Sequence, residues 1–190
     1  SSAASDVYKR QTLLHGDKDK AKWMVDNIVT NSWNDQTDLG KPIKECIFEL
    51  KQAYPKYAPY IVAYWYCYKD MDAGEIPGIY DVMKDLKDRG YQLYCLTNWS
   101  HETFPIVKEV HARLFELFDG IVVSGEEKMV KPNPEIYNLL LGRYNLNASE
   151  SVFIDDRQRN VDGANQVGIQ GILFTGSNNL KEQLAHLSIL

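Results

Sequence analysis

"VFIDDRQRNVDGANQVG", residues 152 to 168, is the stretch from which the fold can be read. An apolar run, Val152-Phe153-Ile154, stops at two adjacent acids, Asp155 and Asp156. A segment with apolar residues at helical spacing follows: Val161, Ala164 and Val167. The first part reads as a short buried strand and the second as an amphipathic helix. Two carboxylates that close raise each other's pKa unless a positive group neutralises them. Either a cation sits at the strand tip or both acids point into water. A plainer reading is also open, because Asp before a helix is favoured by capping and by the helix dipole.

The same grammar recurs on both sides. "YQLYCLTN" (91–98), "GIVVSGEE" (120–127) and "GILFTG" (171–176) are short apolar runs with turn-like exits. Helical segments around 104–115, 134–144 and 160–167 lie between them, and Ile79, Val82, Met83 and Leu86 form an amphipathic helix ended by Gly90. Strands alternating with helices indicate an α/β fold with a parallel sheet. Three of the runs end in polar groups: Thr97-Asn98, Ser124 and Asp155-Asp156. Ligands of open α/β sheets bind outside the carboxyl ends of the strands, so these groups are expected to share one crevice.

Towards the N-terminus the pattern is helical from Lys18 to about Asp70, with Asp17 as an N-cap. Ile43, Cys46, Ile47, Leu50 and Tyr54 make one apolar face of a helix that Pro42 is expected to open at its first position. "YPKYAPYIVAYWYCYKD" (54–70) is an aromatic-rich helical run, in which Tyr64, Trp65 and Tyr68 are read as packing residues. "NSWNDQTDLGKP" (31–42) reads as a polar loop carrying Trp33. The opening "SSAASDVYKRQ" is small, polar and patternless.

Composition excludes several classes. The 190 residues are 44% hydrophobic and 25% charged, with a net charge of -5, the balance of an ordinary globular chain. A nucleic-acid groove would need a basic stripe. No apolar run is long enough to span a bilayer, and no signal-peptide pattern opens the chain. Cys46, Cys67 and Cys95 are odd in number and lack CxxC spacing, so they read as buried thiols of a reducing, cytoplasmic compartment.

The strand tips gather a coherent set of groups. Asp155 and Asp156 offer hard oxygen ligands suited to Mg²⁺, which takes one or two carboxylates plus waters and phosphate oxygens. Thr97 offers a hydroxyl, and the backbone N–H groups after it can hold an anion. Lys131, just before a helix capped near Asn133, is a compact positive charge. Such a set suits phosphoryl transfer, where positioning and charge neutralisation supply most of the catalysis. Singly, each of these residues is as well explained by a turn, a solvated loop or a cap; their order along the chain carries the joint reading.

These residues resemble the haloacid dehalogenase superfamily, in its phosphatase-like branch with a small helical cap. "LYCLTNWS" (93–100) is similar to the family's second motif, "GEEKMVKPNPEIY" (125–137) to its third, and the opening stretch to its fourth. The resemblance covers about residues 13–190. It implies a Rossmann-like parallel sheet with helices on both faces, a cap over residues 13–74 and a hydrolase core over 75–190. By resemblance, Asp156 binds Mg²⁺ directly and Asp155 acts from behind it. Thr97 and the Asn98 amide hold the phosphoryl group of a small phosphorylated metabolite, Lys131 steadies its charge, and Asn160 braces the metal loop. Trp99 beside the phosphate motif, and less so Trp33, would wall the substrate pocket.

The family's first motif, a central apolar strand ending in a nucleophilic Asp, has no match. Asp6 follows no apolar strand, and Asp17 aligns with the entry to the cap. The expectation is therefore a non-native or disordered leader over 1–12, an absent central first strand with two unpaired edges in mid-sheet, and a truncated, inactive chain. Three functions stay open: a Mg²⁺-dependent phosphatase working through an aspartyl-phosphate, a metal-free 2-haloacid dehalogenase, and a non-catalytic binding module or fragment. The acidic pair favours the first over the second.

Overall fold

The computed structural model describes residues 23–24, 26–66 and 74–190. Asp6, Asp17, Cys67, Tyr68 and the leader lie outside them.

Residues 23–66 form a helical unit. Helices α1 (Asn31–Asp38), α2 (Ile43–Ala53) and α3 (Ala58–Tyr66) surround a core that includes Ile28, Cys46, Leu50, Ile61 and Trp65. The periodic face read for α2 is the face that is buried. Two readings are corrected here. The expected polar loop is a helix over Asn31–Asp38, and only 39–42 is non-helical, with a turn at 39–40. Asn, Ser, Asp and Thr are weak helix formers, but tertiary packing overrides propensity. Thr37 is buried, its hydroxyl donating to the Asn34 carbonyl. Pro42 takes the N-cap position rather than the first helical one, with an extended ψ of 134°.

The α/β unit follows in the order α4 (Ile79–Asp88), β1 (Tyr94–Thr97), α5 (Phe104–Val110), α6 (Ala112–Phe115), β2 (Gly120–Val123), α7 (Ser124–Glu127), α8 (Pro134–Tyr144), β3 (Val152–Asp155), α9 (Gln158–Gln166), β4 (Gln170–Leu173) and α10 (Ser177–His186). β1 pairs with β2 in parallel, Leu96 opposite Val122, and β3 pairs with β4 in parallel, Ile154 opposite Ile172. Among the described residues no strand joins the two pairs.

Helices cover both faces. α4 and α10 pack with Val152 and Ile154 on one side, while Ile136 and Tyr137 of α8 and Ala164 of α9 pack with Phe153 and Leu96 on the other. β3 thus alternates its side chains as a strand must. That alternation sends Asp155 to the face of Phe153, the side on which the segment before α8 runs. Cys95 is a free thiol, and burial pushes its pKa up to about 11, which leaves it inert.

Candidate active site

β3 ends at Asp155, and the geometry there separates the two acids. Asp155 is buried and Asp156 is exposed. The Lys131 ammonium donates to Asp155 Oδ2 at 2.7 Å and to the Leu96 carbonyl at 2.8 Å. One cation thereby bridges the tips of β1 and β3. It also stands 5.4 Å from the centre of the Phe153 ring. Asp155 Oδ1 accepts from the Arg157 backbone N–H and from Asn160 Nδ2, both at 2.9 Å. Every oxygen of this buried carboxylate is engaged, as burial of a charge demands. Neither acid caps α9: the N-cap position is Arg157.

Asn98 supplies the next layer. Its Nδ2 donates to the Lys131 carbonyl at 3.0 Å, and its Oδ1 accepts from the Lys131 N–H at 2.8 Å. The Asn98 side chain is thus committed to the Lys131 backbone and helps fix where the ammonium points, while its backbone N–H is the amide expected to hold the phosphoryl group. Asn160 is buried behind the acidic pair, its carbonyl accepting from the Tyr137 hydroxyl at 2.7 Å. Its Nδ2 steadies Asp155. Its Oδ1 is buried with no hydrogen-bond partner among the described residues.

Thr97 is the last residue of β1, and Trp99 follows with its N–H donating to Ser124 Oγ at 2.9 Å and its carbonyl accepting from the Gly125 N–H at 3.0 Å. Ser124, which ended a strand in a functional-looking way, is fully buried and ties β2 to the loop after β1. It is structural. Trp33 packs on the core of the helical unit beneath the Lys41 ammonium, 5.3 Å from its ring centre.

Two residues that sequence reasoning passed over lie where the helical unit meets these loops. The backbone N–H of Ile43, at the start of α2, donates to Glu102 Oε1 at 2.8 Å. Asp38, at the end of α1, feels the positive charges of Arg157 and Lys131, yet burial and the neighbouring Asp35 push its pKa up to about 7. No motif signals either residue, because each acts across a sequence separation of tens of residues.

Among the described residues no group of three or more acids, histidines or cysteines is placed to hold a metal ion by itself. The donor set still fits Mg²⁺, which binds through one or two carboxylates and completes its shell with water and phosphate. Asp156 is the exposed acid at that tip, with its neighbour already neutralised.

The sequence profile of haloacid dehalogenase-like hydrolases matches residues 13–168. The chain belongs to this family. Among curated relatives, a sesquiterpene phosphatase of Aspergillus oryzae is 36% identical over 96 residues, covering 50% of this chain and 48% of the relative. A ribulose-1,5-bisphosphate 5-phosphatase of Halopiger xanaduensis is 29% identical over 116 residues, 60% of this chain and 48% of that one. The chain spans about half the length of the curated relatives it matches. A HAD family enzyme of Bacteroides thetaiotaomicron, solved as a magnesium complex, superposes with a TM-score of 0.73 at 17% identity, over 96% of this chain and 90% of the other. The same enzyme solved with magnesium and inorganic phosphate gives 0.66 at 20% identity, over 92% and 87%. The haloacid dehalogenase fold of this chain therefore extends over the helical unit as well as the α/β unit. No helix among the described residues is long and apolar enough to cross a membrane.

Proposed function

We propose that this hydrolase belongs to a Mg²⁺-dependent phosphatase acting on a small phosphorylated metabolite through an aspartyl-phosphate, with residues 13–74 as its cap and 75–190 as its core. The observation that carries the reading is the buried Lys131 ammonium, held between the Leu96 carbonyl and Asp155 at the point where two strand tips converge. A preorganised cation at such a point stabilises charge that develops on a transferring phosphoryl group. The phosphatase names of the curated relatives and the magnesium and phosphate complex of the structural relative support it.

In this reading Thr97 Oγ and the backbone N–H of Asn98 hold the phosphoryl oxygens. Asn98 Oδ1 and Nδ2 keep Lys131 aimed, and Asn160 and Arg157 keep Asp155 in place to pair with it. Asp156 and phosphoryl oxygens would hold Mg²⁺, which when bound neutralises phosphoryl charge. Trp99 forms a wall of the pocket. The nucleophilic carboxylate belongs on a strand between β1 and β3, and no described residue supplies one. Asp155 cannot attack, since both its oxygens are taken.

The test is to compare the 190-residue chain with a version whose leader is replaced by an apolar strand ending in Asp, using an activated aryl phosphate with and without Mg²⁺. The version carrying the added strand and Asp is expected to turn over only with metal, and the 190-residue chain not at all, since misplacing a nucleophile by even ~1 Å costs about 10²-fold. Metal-independent turnover, or equal rates from both chains, would overturn the assignment.

A further inference from the structure

Helix α2 opens without a cap of its own. Pro42 holds its N-cap position, and a proline side chain has no acceptor to offer. The Pro42 carbonyl accepts the N–H groups of Glu45 and Cys46 at 3.0 and 3.3 Å, which leaves the N–H of Ile43 outside the helical ladder. Its acceptor comes from the other unit. Glu102 Oε1 takes that N–H at 2.8 Å, 59 residues further along the chain. A carboxylate at this point also suits the positive end of the helix dipole.

Glu102 belongs to the loop that leaves β1 through Thr97 and Asn98. On the core side this loop is tied at Trp99, whose N–H donates to Ser124 Oγ at 2.9 Å and whose carbonyl accepts from the Gly125 N–H at 3.0 Å. Gly125 has no room for a side chain, since a Cβ would stand 2.5 Å from the His101 nitrogen and 2.7 Å from the Trp99 carbonyl oxygen. The Glu102 N–H donates to the hydroxyl of the buried Ser100 at 3.2 Å, closing a short turn within the loop. The turn that follows Asp38 meets the same place: Gly40 has φ +89°, and a Cβ on it would stand 2.8 Å from the Gly125 carbonyl oxygen. Backbone meets backbone along this seam, and the Glu102 carboxylate closes it at the start of α2.

We propose that Glu102 is a positioning residue for the phosphate site. By holding the first N–H of α2 it steadies the loop that presents Thr97 Oγ and the Asn98 N–H, and it couples that loop to the seating of the helical unit. The inference rests on the phosphatase reading above. The Trp99 ties join the loop to the core alone, whereas the Glu102 bond exists only while α2 is seated. Coupling of this kind is reciprocal: phosphate that orders the loop steadies the seam, and a seated α2 tightens phosphate by the same factor. Glu102 is exposed, so its one bond is worth a few-fold and not orders of magnitude.

The coupling can be read without turnover. The isotope-labelled chain, Glu102→Ala and Glu102→Gln are titrated with inorganic phosphate in the presence of Mg²⁺, and the backbone amide resonances of Asn98 and Ile43 are followed. In the native chain both are expected to shift along one binding curve. Glu102→Ala should keep the Asn98 shift, lose the Ile43 shift and bind phosphate about threefold more weakly, the worth of one exposed hydrogen bond. Glu102→Gln keeps an acceptor, so it should restore the Ile43 shift and bring affinity within about 1.5-fold of the native chain. A merely structural Glu102 would lower the unfolding midpoint without moving either phosphate readout. Glu102→Ala that binds phosphate as tightly as the native chain and still shifts Ile43 overturns the role of Glu102 and leaves the phosphate site standing. Absence of an Asn98 shift in the native chain overturns the phosphate site and this inference with it.

Discussion

Asp155 is buried at the tip of β3 and Asp38 is half-buried at the end of α1, and their surroundings are opposite. Asp155 meets an ammonium, a backbone N–H and an amide within 2.9 Å, and its side chain keeps only 7% exposure beside a Lys131 side chain at 9%. Asp38 has the partial compensation of Arg157 and Lys131, a like charge in Asp35, and a pKa pushed up to about 7 by burial first of all. The contrast teaches that burial of an acid does not by itself mark function. A buried carboxylate whose partners are complete holds neighbouring strands together, whereas one only partly compensated costs the fold stability.

Breaking the complete pair should cost most. Lys131→Ala leaves Asp155 buried without its counter-ion, and the expected loss is about 3–5 kcal/mol in chemical denaturation. The double variant Lys131→Met/Asp155→Leu should recover most of that stability, because apolar replacement of a buried pair is often neutral. In an active enzyme the same Lys131→Ala change should also lower kcat by about 10²-fold or more, and the double variant should not restore it. Recovery of activity together with stability would make Lys131 purely structural.

The seam that positions Asp38 should come next. Gly40→Ala adds strain at positive φ and a clash with the Gly125 carbonyl, with an expected cost of about 2 kcal/mol. A thermal midpoint that does not move would mean that the seam yields freely.

Asp38 itself should show the reverse sign. Its folded pKa lies above the unfolded value of 3.8, so the folded state binds more protons than the unfolded state between about pH 4 and 7. Stability from this group is therefore lost as pH rises through that window. Asp38→Asn should stabilise the chain by about 1–2 kcal/mol at pH ~8, after allowance for partial solvent screening, and by almost nothing at pH ~4. Equal gains at both pH values would remove the titration as the cause.

The smallest effect belongs to Glu102. Its carboxylate accepts the first N–H of α2, and Glu102→Ala is expected to cost about 0.5–1 kcal/mol, in the range of a capping hydrogen bond. Glu102→Gln, which keeps an acceptor, should recover at least half of it. No recovery would show that charge at the helix terminus matters more than the bond itself.

The four strands and the helices between them were legible because each is encoded within a few residues. Apolar runs of four end in polar turns, and period-3.6 stripes follow. The split between Asp155 and Asp156 was implicit in the same run, since adjacent residues of a strand point to opposite faces. The second, third and fourth motifs marked the elements that converge. What they did not mark was the partner of each group. The Asn98 side chain turned out to serve the Lys131 backbone, and Ser124 to tie two loops, because hydrogen-bond partners are chosen by approach in space.

Residues 31–42 mark the limit most clearly. By themselves Asn, Ser, Asp and Thr compete with the helix backbone for hydrogen bonds, so their local preference is for turns. Sequence alone determined the alternation of strand and helix, the buried face of α2 and the chemical inventory of the strand tips. Tertiary structure decided that Asn31–Asp38 is a helix, that its end docks on Gly125, and that Asp38 meets charges some 90 to 120 residues away along the chain. The reason is that a local preference of a few tenths of a kcal/mol per residue yields to the burial of Thr37 and the docking of a whole segment, and neither of those is encoded within the segment itself.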